Sequence, residues 1–270
     1  MKKIFSLLVF ATLLFSHSLL AESVQSKLEA AANGEHRSEK NKARNQYRHP
    51  AETLAFFGIR EDMTVVEISP GGGGWYTEVL APFLREKGKL YAASFNQDSE
   101  VEYYRKNAKK FLDKLAANPA VYDKVIVTEF EIGTKEELQP AGQADMVVTF
   151  RNTHNWLNND IAEATFKAMH KVLKKGGVLG LVQHRGEDHM IGKEWSKKGY
   201  VPEKLVIRLA EAAGFELVEK SEVNANAKDT KDYKDGVWTL PPVYRLKDQD
   251  RDKYTAIGES DRMTLKFIKL

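Results

Sequence analysis

Short apolar runs alternate with amphipathic stretches through most of this chain. The runs are rich in β-branched residues, and in the stretches between them apolar residues recur at three- and four-residue intervals. Strands that alternate with helices predict an α/β fold, with a mostly parallel sheet and helices on both faces. The predicted strands span residues 64–68, 89–94, 125–128, 145–150, 178–182, 215–218 and 263–268.

Proline, glycine and acidic residues mark the predicted helix ends. Pro50 favours a helix start and Gly58 a helix end, so a short helix is expected just before the first strand. Asp160 and Glu163 have the spacing of a capping box, which predicts a helix start. We expect that helix to end at Gly176.

The chain begins with a segment typical of a secretory signal peptide. Lys2 and Lys3 precede an apolar core, and Ala21 offers a small residue for cleavage, so residues 1–21 are predicted to be removed. An uncleaved membrane anchor is the alternative, because the apolar run approaches the length that spans a bilayer. After cleavage we expect a periplasmic protein with no stable membrane insertion.

The composition changes along the rest of the chain. Residues 22–46 are polar and charged, which predicts a loosely packed helical lead-in, and residues 47–270 carry the alternating pattern of the α/β domain. Residues 221–261 are polar, contain Pro241-Pro242 and are too long for an ordinary connection. We therefore expect a lid-like insertion before the last strand.

Charge and cysteine content narrow the possible partners. The formal net charge is +3, and Lys2 and Lys3 contribute two of these charges. Because the chain has no basic stripe, nucleic acid is not expected as a partner. The chain has no cysteine, and His154 and His184 lack a neighbouring carboxylate set in the sequence, so no metal site is predicted. A small-molecule substrate is favoured, and the oligomeric state is left open.

The most informative segment follows the first predicted strand. Glu67 lies near the strand end, Ser69 follows, and the four glycines at 71–74 lead into an amphipathic helix. Glycine permits positive φ and lets a ligand lie against the backbone. A helix N-terminus also offers unpaired N–H groups to an anionic or carboxylate-bearing ligand. We therefore expect a nucleotide or nucleoside site here.

Two common nucleotide loops fit this segment poorly. A phosphate-binding P-loop needs a Gly-Lys-Ser/Thr ending, which is missing after the glycines. The dinucleotide fingerprint needs a third glycine, but Thr77 or Tyr76 occupies that place, depending on the register. Neither loop is the favoured interpretation.

Polar side chains gather where the predicted strands end, and ligands of open α/β sheets bind at this edge. The fourth strand is followed by Arg151, Asn152 and His154, and the fifth by His184. A histidine with a near-neutral pKa can take a proton from a nucleophile that is about to accept a methyl group. His154 is therefore the candidate base, with Asn152 and Arg151 orienting the acceptor.

The loop after the first strand resembles the first motif of class I S-adenosylmethionine-dependent methyltransferases. The chain also resembles a narrower group of exported, methyltransferase-like proteins of Gram-negative bacteria, in segments 47–50, 67–77, 145–156, 174–177, 213–215 and 260–262. This resemblance implies a Rossmann-like fold with a mostly parallel seven-strand sheet and a reversed last strand. It also implies S-adenosylmethionine as cofactor at the glycine loop. The implied cofactor-binding residues are Glu67, Ser69, Gly71, Gly72, Gly73, Gly74, Trp75 and Asn96.

Two differences from the usual methyltransferase pattern leave alternatives to S-adenosylmethionine-dependent methyl transfer. Ser94 and Asn96 stand where most such methyltransferases carry an acid for the ribose hydroxyls, and an amide binds a hydroxyl more weakly than a carboxylate does. The cofactor is made in the cytoplasm, whereas the first residues predict export. A catalytically inactive periplasmic binding protein on the same fold is one alternative, and a nicotinamide-dependent oxidoreductase is the other.

Overall fold

A computed structural model describes residues 24–270, so the predicted signal peptide at 1–21 lies outside the described residues. The strands are β1 Thr64–Ile68, β2 Lys89–Ser94, β3 Ile126–Glu129, β4 Ala144–Phe150, β5 Leu173–Gly186, β6 Val201–Pro202, β7 Phe215–Ser221 and β8 Arg262–Lys269. The first helices are α1 at 24–32, α2 Glu39–Lys42, α3 Asn45–Arg48, α4 Pro50–Phe57, α5 Thr77–Leu84 and α6 Glu102–Ala117. The others are α7 Pro119–Tyr122, α8 Thr153–Asn158, α9 Ala162–Val172, α10 Lys193–Lys197, α11 Glu203–Ala212 and α12 Arg251–Ile257.

The strands form one sheet in the order β3-β2-β1-β4-β5-β8-β7, with the two-residue β6 beside the end of β5. β1 pairs in parallel with β2 and β4, whereas β8 runs antiparallel to both β5 and β7. The mostly parallel sheet and its reversed last strand are therefore confirmed.

Helices cover both faces of the sheet because its central strands are apolar on both sides. In β1, Val65 packs into one buried cluster with Leu80 of α5 and Phe111 of α6, and Val66 packs into a second cluster with Phe166 of α9. Continuous apolarity is what a parallel strand buried on both faces requires. The carboxyl ends of β1, β2, β3 and β4 then open at the same edge.

The predicted helix start at Asp160 and Glu163 is wrong in its capping detail. The residue before α9 is Ile161, whose side chain makes no capping hydrogen bond. Asp160 instead adopts a φ of 57° and pairs with Lys193, with 2.5 Å between Oδ2 and Nζ. Gly176 is not the helix end either, because the chain is already extended in β5 from Leu173.

The lead-in packs more tightly than expected. Leu28 of α1 is fully buried in the same cluster as Leu80. The Arg37 guanidinium, itself buried, donates from Nε to Glu78 Oε2 on α5 at 2.9 Å. The lead-in is therefore attached to the domain by both apolar contact and a buried ion pair.

The segment between β7 and β8 is ordered both by its own contacts and by contacts with the rest of the domain, such as Asn224 with Thr53 and Trp238 with Lys197. It contains a 3-10 helix at Gly236–Thr239, the helix α12, and a small apolar cluster of Tyr233, Leu240 and Tyr254. The domain boundaries and the movement of this segment as a lid stay predictions. Within residues 24–270, no helix combines the length and apolarity needed to cross a membrane.

Candidate functional site

The loop after β1 has a strained backbone around a buried carboxylate. Ser69 has a φ of 50°, Gly71 of 68° and Gly74 of 51°. Glu67 is only 2% exposed, and its Oε2 accepts a hydrogen bond of 2.6 Å from Thr77 Oγ1 at the start of α5. Left-handed backbone at a non-glycine residue persists where the surroundings hold it, which is common at ligand sites. The hydrogen bond between Glu67 and Thr77 therefore joins the two ends of the loop.

Burial changes the protonation of Glu67. The low-dielectric surroundings raise its pKa to about 7, against the opposing effects of the Thr77 hydrogen bond and the Arg151 charge. A buried carboxyl with a pKa near 7 is only partly ionised at neutral pH. A cation bound at the neighbouring loop would favour its charged form.

A cavity of about 440 Å³ opens beside Ser69, at the carboxyl ends of β1, β2, β3 and β4. Phe95 and Tyr104 stack at one wall, with ring centroids 4.6 Å apart and an interplanar angle of 6°. The volume and the mixed apolar and polar lining are those of a small-molecule site. Its aromatic lining is Phe95, Tyr103, Tyr104, Phe130 and Trp156, and its polar lining includes Ser69, Glu131, Asn152 and Asn155.

The four predicted loop glycines divide into two kinds. A Cβ on Gly72 would lie 2.8 Å from Asn107 Oδ1, and one on Gly74 would lie 2.8 Å from Phe111 Cε2, so both glycines allow α6 to pack closely. A Cβ on Gly71 or Gly73 would meet no atom of residues 24–270 within 4 Å. None of the four lines the cavity, whose lining includes Ser69 from this loop. Close packing of α6 therefore explains two glycines without any ligand.

The structure places Trp75 and Asn96 away from the cavity lining. The guanidinium carbons of Arg37 and Arg48 lie 4.6 and 4.7 Å from the Trp75 ring centroid, which makes this residue part of a cation–π packing arrangement. Asn96 is buried, and its Oδ1 accepts a hydrogen bond from the Asp98 backbone N–H at 3.0 Å.

The end of β4 brings Asn152 to the loop after β1 and Arg151 to the neighbouring strand β5. Asn152 lines the cavity, and its Nδ2 donates to the Ile68 and Ser69 carbonyls at 3.0 and 3.4 Å. Arg151 has a φ of 62°, and its backbone N–H donates to the Val182 carbonyl at 2.7 Å. Asn152 therefore joins the end of β4 to the loop after β1.

His154 lies close to His184, as adjacent strands predicted, with ring centroids 5.5 Å apart. Trp238 of the 3-10 helix covers both rings, at centroid distances of 5.5 and 6.3 Å. Within residues 24–270, the buried His154 Nε2 has no hydrogen-bond partner, and His154 does not line the cavity.

The expectation of a near-neutral pKa at His154 is wrong. Burial lowers its pKa to about 4, the Arg151 charge acts in the same direction, and the Gln183 hydrogen bond opposes both. Burial likewise holds the pKa of His184 well below its usual value. Both rings are therefore neutral at pH 7, and His154 is a far weaker base than the expected role assumed.

Several residues of this region were missed as site residues. Phe95 was visible at the end of the second predicted strand, but its stacking partner Tyr104 lies on α6 and carries no local signal. Glu131 follows β3, and its Oε1 accepts from Ser99 Oγ at 2.7 Å at the cavity wall. Within residues 24–270, no group of three or more histidine, cysteine or acidic side chains is arranged to hold a metal ion.

Known proteins match this chain in structure only. No known protein-family profile and no curated protein matches its sequence. A SAM-dependent methyltransferase from Aquifex aeolicus has 18% identity and a TM-score of 0.53, covering 91% of this chain and 98% of its own. The [4+2]-cyclase SpnF has 13% identity and a TM-score of 0.59, covering 88% of this chain and 85% of its own.

Identities this low show a shared fold, and folds of this kind carry more than one chemistry. The cyclase among the similar structures illustrates this, so the similarity does not by itself assign methyl transfer. The strand order, the reversed β8 and the matched structures agree with one another. The chain has the fold of the class I S-adenosylmethionine-dependent methyltransferases.

Proposed function

We propose that this protein binds S-adenosylmethionine in the cavity beside Ser69 and transfers its methyl group to a small molecule. The observation that carries the proposal is the position of the cavity, at the carboxyl ends of β1 and β4 and next to the strained loop. Ligands of open α/β sheets bind at this edge, and the fold is shared with a methyltransferase.

The lining fits the chemical groups of this cofactor. Phe95, Tyr103 and Tyr104 offer aromatic surface to an adenine ring, and Glu131 offers a carboxylate to hydroxyl or amino groups. Glu131 stands at the end of β3, where it can replace the strand-two acid that the sequence lacks. Glu67, with its pKa near 7, lies below the loop, where a cationic ligand group would favour its charged form.

The chain's own residues would act mainly by positioning. When bound, the cofactor supplies an electrophilic methyl group on sulfur, for which in-line alignment with the acceptor provides most of the rate. Asn152 holds the loop by its hydrogen bonds to the Ile68 and Ser69 carbonyls. Arg151 offers a positive charge to the acceptor. His154 is buried outside the cavity lining and supports the start of α8 through its contacts with Gln183 and Trp238. Residues 1–21 support an exported, periplasmic location for this activity.

Isothermal titration of the purified protein with S-adenosylhomocysteine, the unreactive product, tests the cofactor site. We expect a dissociation constant below about 100 µM. Asn155→Trp places a bulky ring at the cavity wall and should abolish binding, whereas Lys106→Trp, on the exposed side of α6, should leave it intact.

Three results would contradict the proposal. They are no binding up to millimolar ligand, equal binding by both tryptophan variants, or tighter binding of NADH than of S-adenosylhomocysteine. The first favours the inactive binding protein, and the last favours the oxidoreductase.

A further inference from the structure

Three arginines contact one buried carboxylate, and a fourth arginine lies near them. Glu259 accepts hydrogen bonds from Arg44 Nε at 2.6 Å, from Arg48 Nε at 2.9 Å and from Arg262 Nη1 at 3.3 Å. Glu259 and Arg262 are 5% and 2% exposed, so solvent does not screen these charges well. Arg151 is the fourth arginine, at the adjoining strand end.

The sheet register places Arg151 beside this group. Its backbone N–H donates to Val182 of β5, and two residues further along β5, His184 pairs with Arg262 of β8. Burial and the Arg262 charge lower the pKa of Arg151 to about 10. Arg151 in turn helps to lower the pKa of Arg48, after the larger effect of burial. The four guanidinium groups therefore act on each other electrostatically.

The charges in this group do not balance. Three guanidinium groups bond to Glu259, and the charge of the fourth, on Arg151, also acts on it. The Arg151 charge acts on Glu67 as well, but the raised pKa of Glu67 leaves that carboxyl about half protonated at pH 7. His154 and His184 are neutral, so they add no charge to this group. Within residues 24–270, Arg48 Nη1 and Arg151 Nη1 are buried without a hydrogen-bond partner. Buried charges left unpaired are costly, so a negative group is missing from this site.

We propose that Arg48 and Arg151 bind a carboxylate or phosphate group of the methyl acceptor, which makes the substrate an anionic small molecule. This inference rests on the proposed function for the identity of the acceptor. The cofactor has its own carboxylate, but its sulfonium and ammonium groups give it a net positive charge. Its binding would increase the positive surplus, so the acceptor is the source of the balancing charge. Guanidinium groups are well suited to both anions because they bind them in a two-point geometry.

Thermal unfolding at matched ionic strength tests the anion site without the cofactor. We expect 50 mM inorganic phosphate to raise the Tm of the purified protein by at least about 3 °C relative to chloride, because the anion binds only the folded state. Arg151→Gln should abolish this shift, and Arg151→Lys should keep part of it. Arg208→Gln, at an exposed arginine of α11, should keep all of it.

The Tm of Arg151→Gln in chloride shows whether Arg151 serves a ligand site or the stability of the fold. Within residues 24–270, one guanidinium nitrogen of Arg151 is buried without a partner, and the Arg262 charge lies near it. Arg151→Gln in chloride should therefore unfold at the same temperature as the native chain or above it. A Tm lowered by more than about 5 °C, a failure to fold, or a phosphate shift that survives in Arg151→Gln would each overturn the proposal.

A second titration distinguishes the acceptor from the cofactor as the source of the anion. S-adenosylhomocysteine has a carboxylate, and 5′-methylthioadenosine does not. We expect Arg151→Gln to leave the affinity for S-adenosylhomocysteine, relative to that for 5′-methylthioadenosine, within about twofold of the native value. If this relative affinity falls at least about tenfold, Arg151 binds the cofactor carboxylate and the proposal is overturned. If neither ligand binds while the phosphate shift remains, the proposed function fails and the anion site stands.

Discussion

Glu67 combines two properties at one residue, burial at the end of a central strand and a single strong hydrogen bond. Thr77 Oγ1 donates to it at 2.6 Å, but burial still raises the pKa of Glu67 to about 7. The unfolded chain has an ordinary carboxyl at this position. Above the unfolded pKa the folded state therefore binds more protons than the unfolded state, and stability must fall as pH rises toward 7.

Glu67→Gln should remove this pH dependence. The variant should match the native chain near pH 4.5 and exceed its free energy of unfolding at pH 8 by on the order of 3 kcal/mol, since each pKa unit corresponds to about 1.4 kcal/mol. Urea unfolding at the two pH values measures it. Glu216→Gln, at an exposed glutamate of β7, is the control and should change neither value. A variant less stable than the native chain at pH 8 would contradict the assigned pKa.

At the scale of single residues, the sequence predicted what local pattern determines. Glu67 and Ser69 were identified because a strand end, a turn and a helix start are close in sequence. The low pKa of His154 was not predictable, since it arises from burial beneath Trp238, which is supplied by a segment more than eighty residues away. Arg48 and Glu259, which are 211 residues apart, share no local pattern that could reveal their contact.

At the scale of elements, β1 and β2 have the predicted bounds, 64–68 and 89–94. Both strands are apolar runs that end at polar residues or glycine, so the local sequence is sufficient to predict their bounds. The start of α9 was predicted with the wrong cap, because Ile161 precedes the helix while Asp160 has a φ of 57° and pairs with Lys193. Elements were thus predictable where tertiary contacts and local preference agree.

The glycine loop offers a test of which glycines serve packing. Gly74 has a φ of 51°, and a Cβ there would lie 2.8 Å from the Phe111 ring, so Gly74→Ala should lower the free energy of unfolding by about 1–3 kcal/mol. Gly73 is exposed, and a Cβ there meets no atom of residues 24–270 within 4 Å, so Gly73→Ala should stay within about 0.5 kcal/mol of the native chain.

Urea unfolding of the two loop variants at pH 7 measures this difference. Phe111→Leu serves as the control, alone and combined with Gly74→Ala. Phe111→Leu should lower stability by itself, but Gly74→Ala should cost less in the Phe111→Leu background than in the native one, because the smaller side chain relieves part of the clash. Equal stability of the two glycine variants would show that the approach of α6 does not require Gly74.

At the scale of the whole molecule, Glu259 joins parts of the chain that are distant in sequence. Arg44 and Arg48 belong to the segment before the sheet, Glu259 lies near the end of the segment between β7 and β8, and Arg262 begins β8. Asn224 adds a second link, because its Nδ2 donates to Thr53 of α4 and to Thr264 of β8, each at 2.9 Å. The insertion is therefore anchored at both its ends, and any lid movement has to occur between these anchors.

Glu259→Gln should weaken this anchoring strongly. Burial alone would raise the pKa of Glu259, but the charges of Arg48, Arg262 and Arg44 outweigh it and hold the pKa at about 2. A carboxyl with a lowered pKa adds stability that is complete above its unfolded pKa and is lost as pH falls through the folded one. At pH 7 the variant leaves its arginines without a carboxylate and should lose about 3–5 kcal/mol of unfolding free energy.

The pH dependence of that loss identifies its cause. Between pH 5 and pH 3 the difference in unfolding free energy between Glu259→Gln and the native chain should narrow by about 2 kcal/mol. In this range the carboxyl becomes protonated in the unfolded native chain, so its charge contributes less to stability. Denaturant unfolding at pH 7, 5 and 3 measures it. Glu222→Gln removes the exposed ion pair with Arg185 and should cost less than about 1 kcal/mol at pH 7. A difference that stays constant with pH would mean that Glu259 acts by shape and hydrogen bonding, because only its charge makes its contribution depend on protonation.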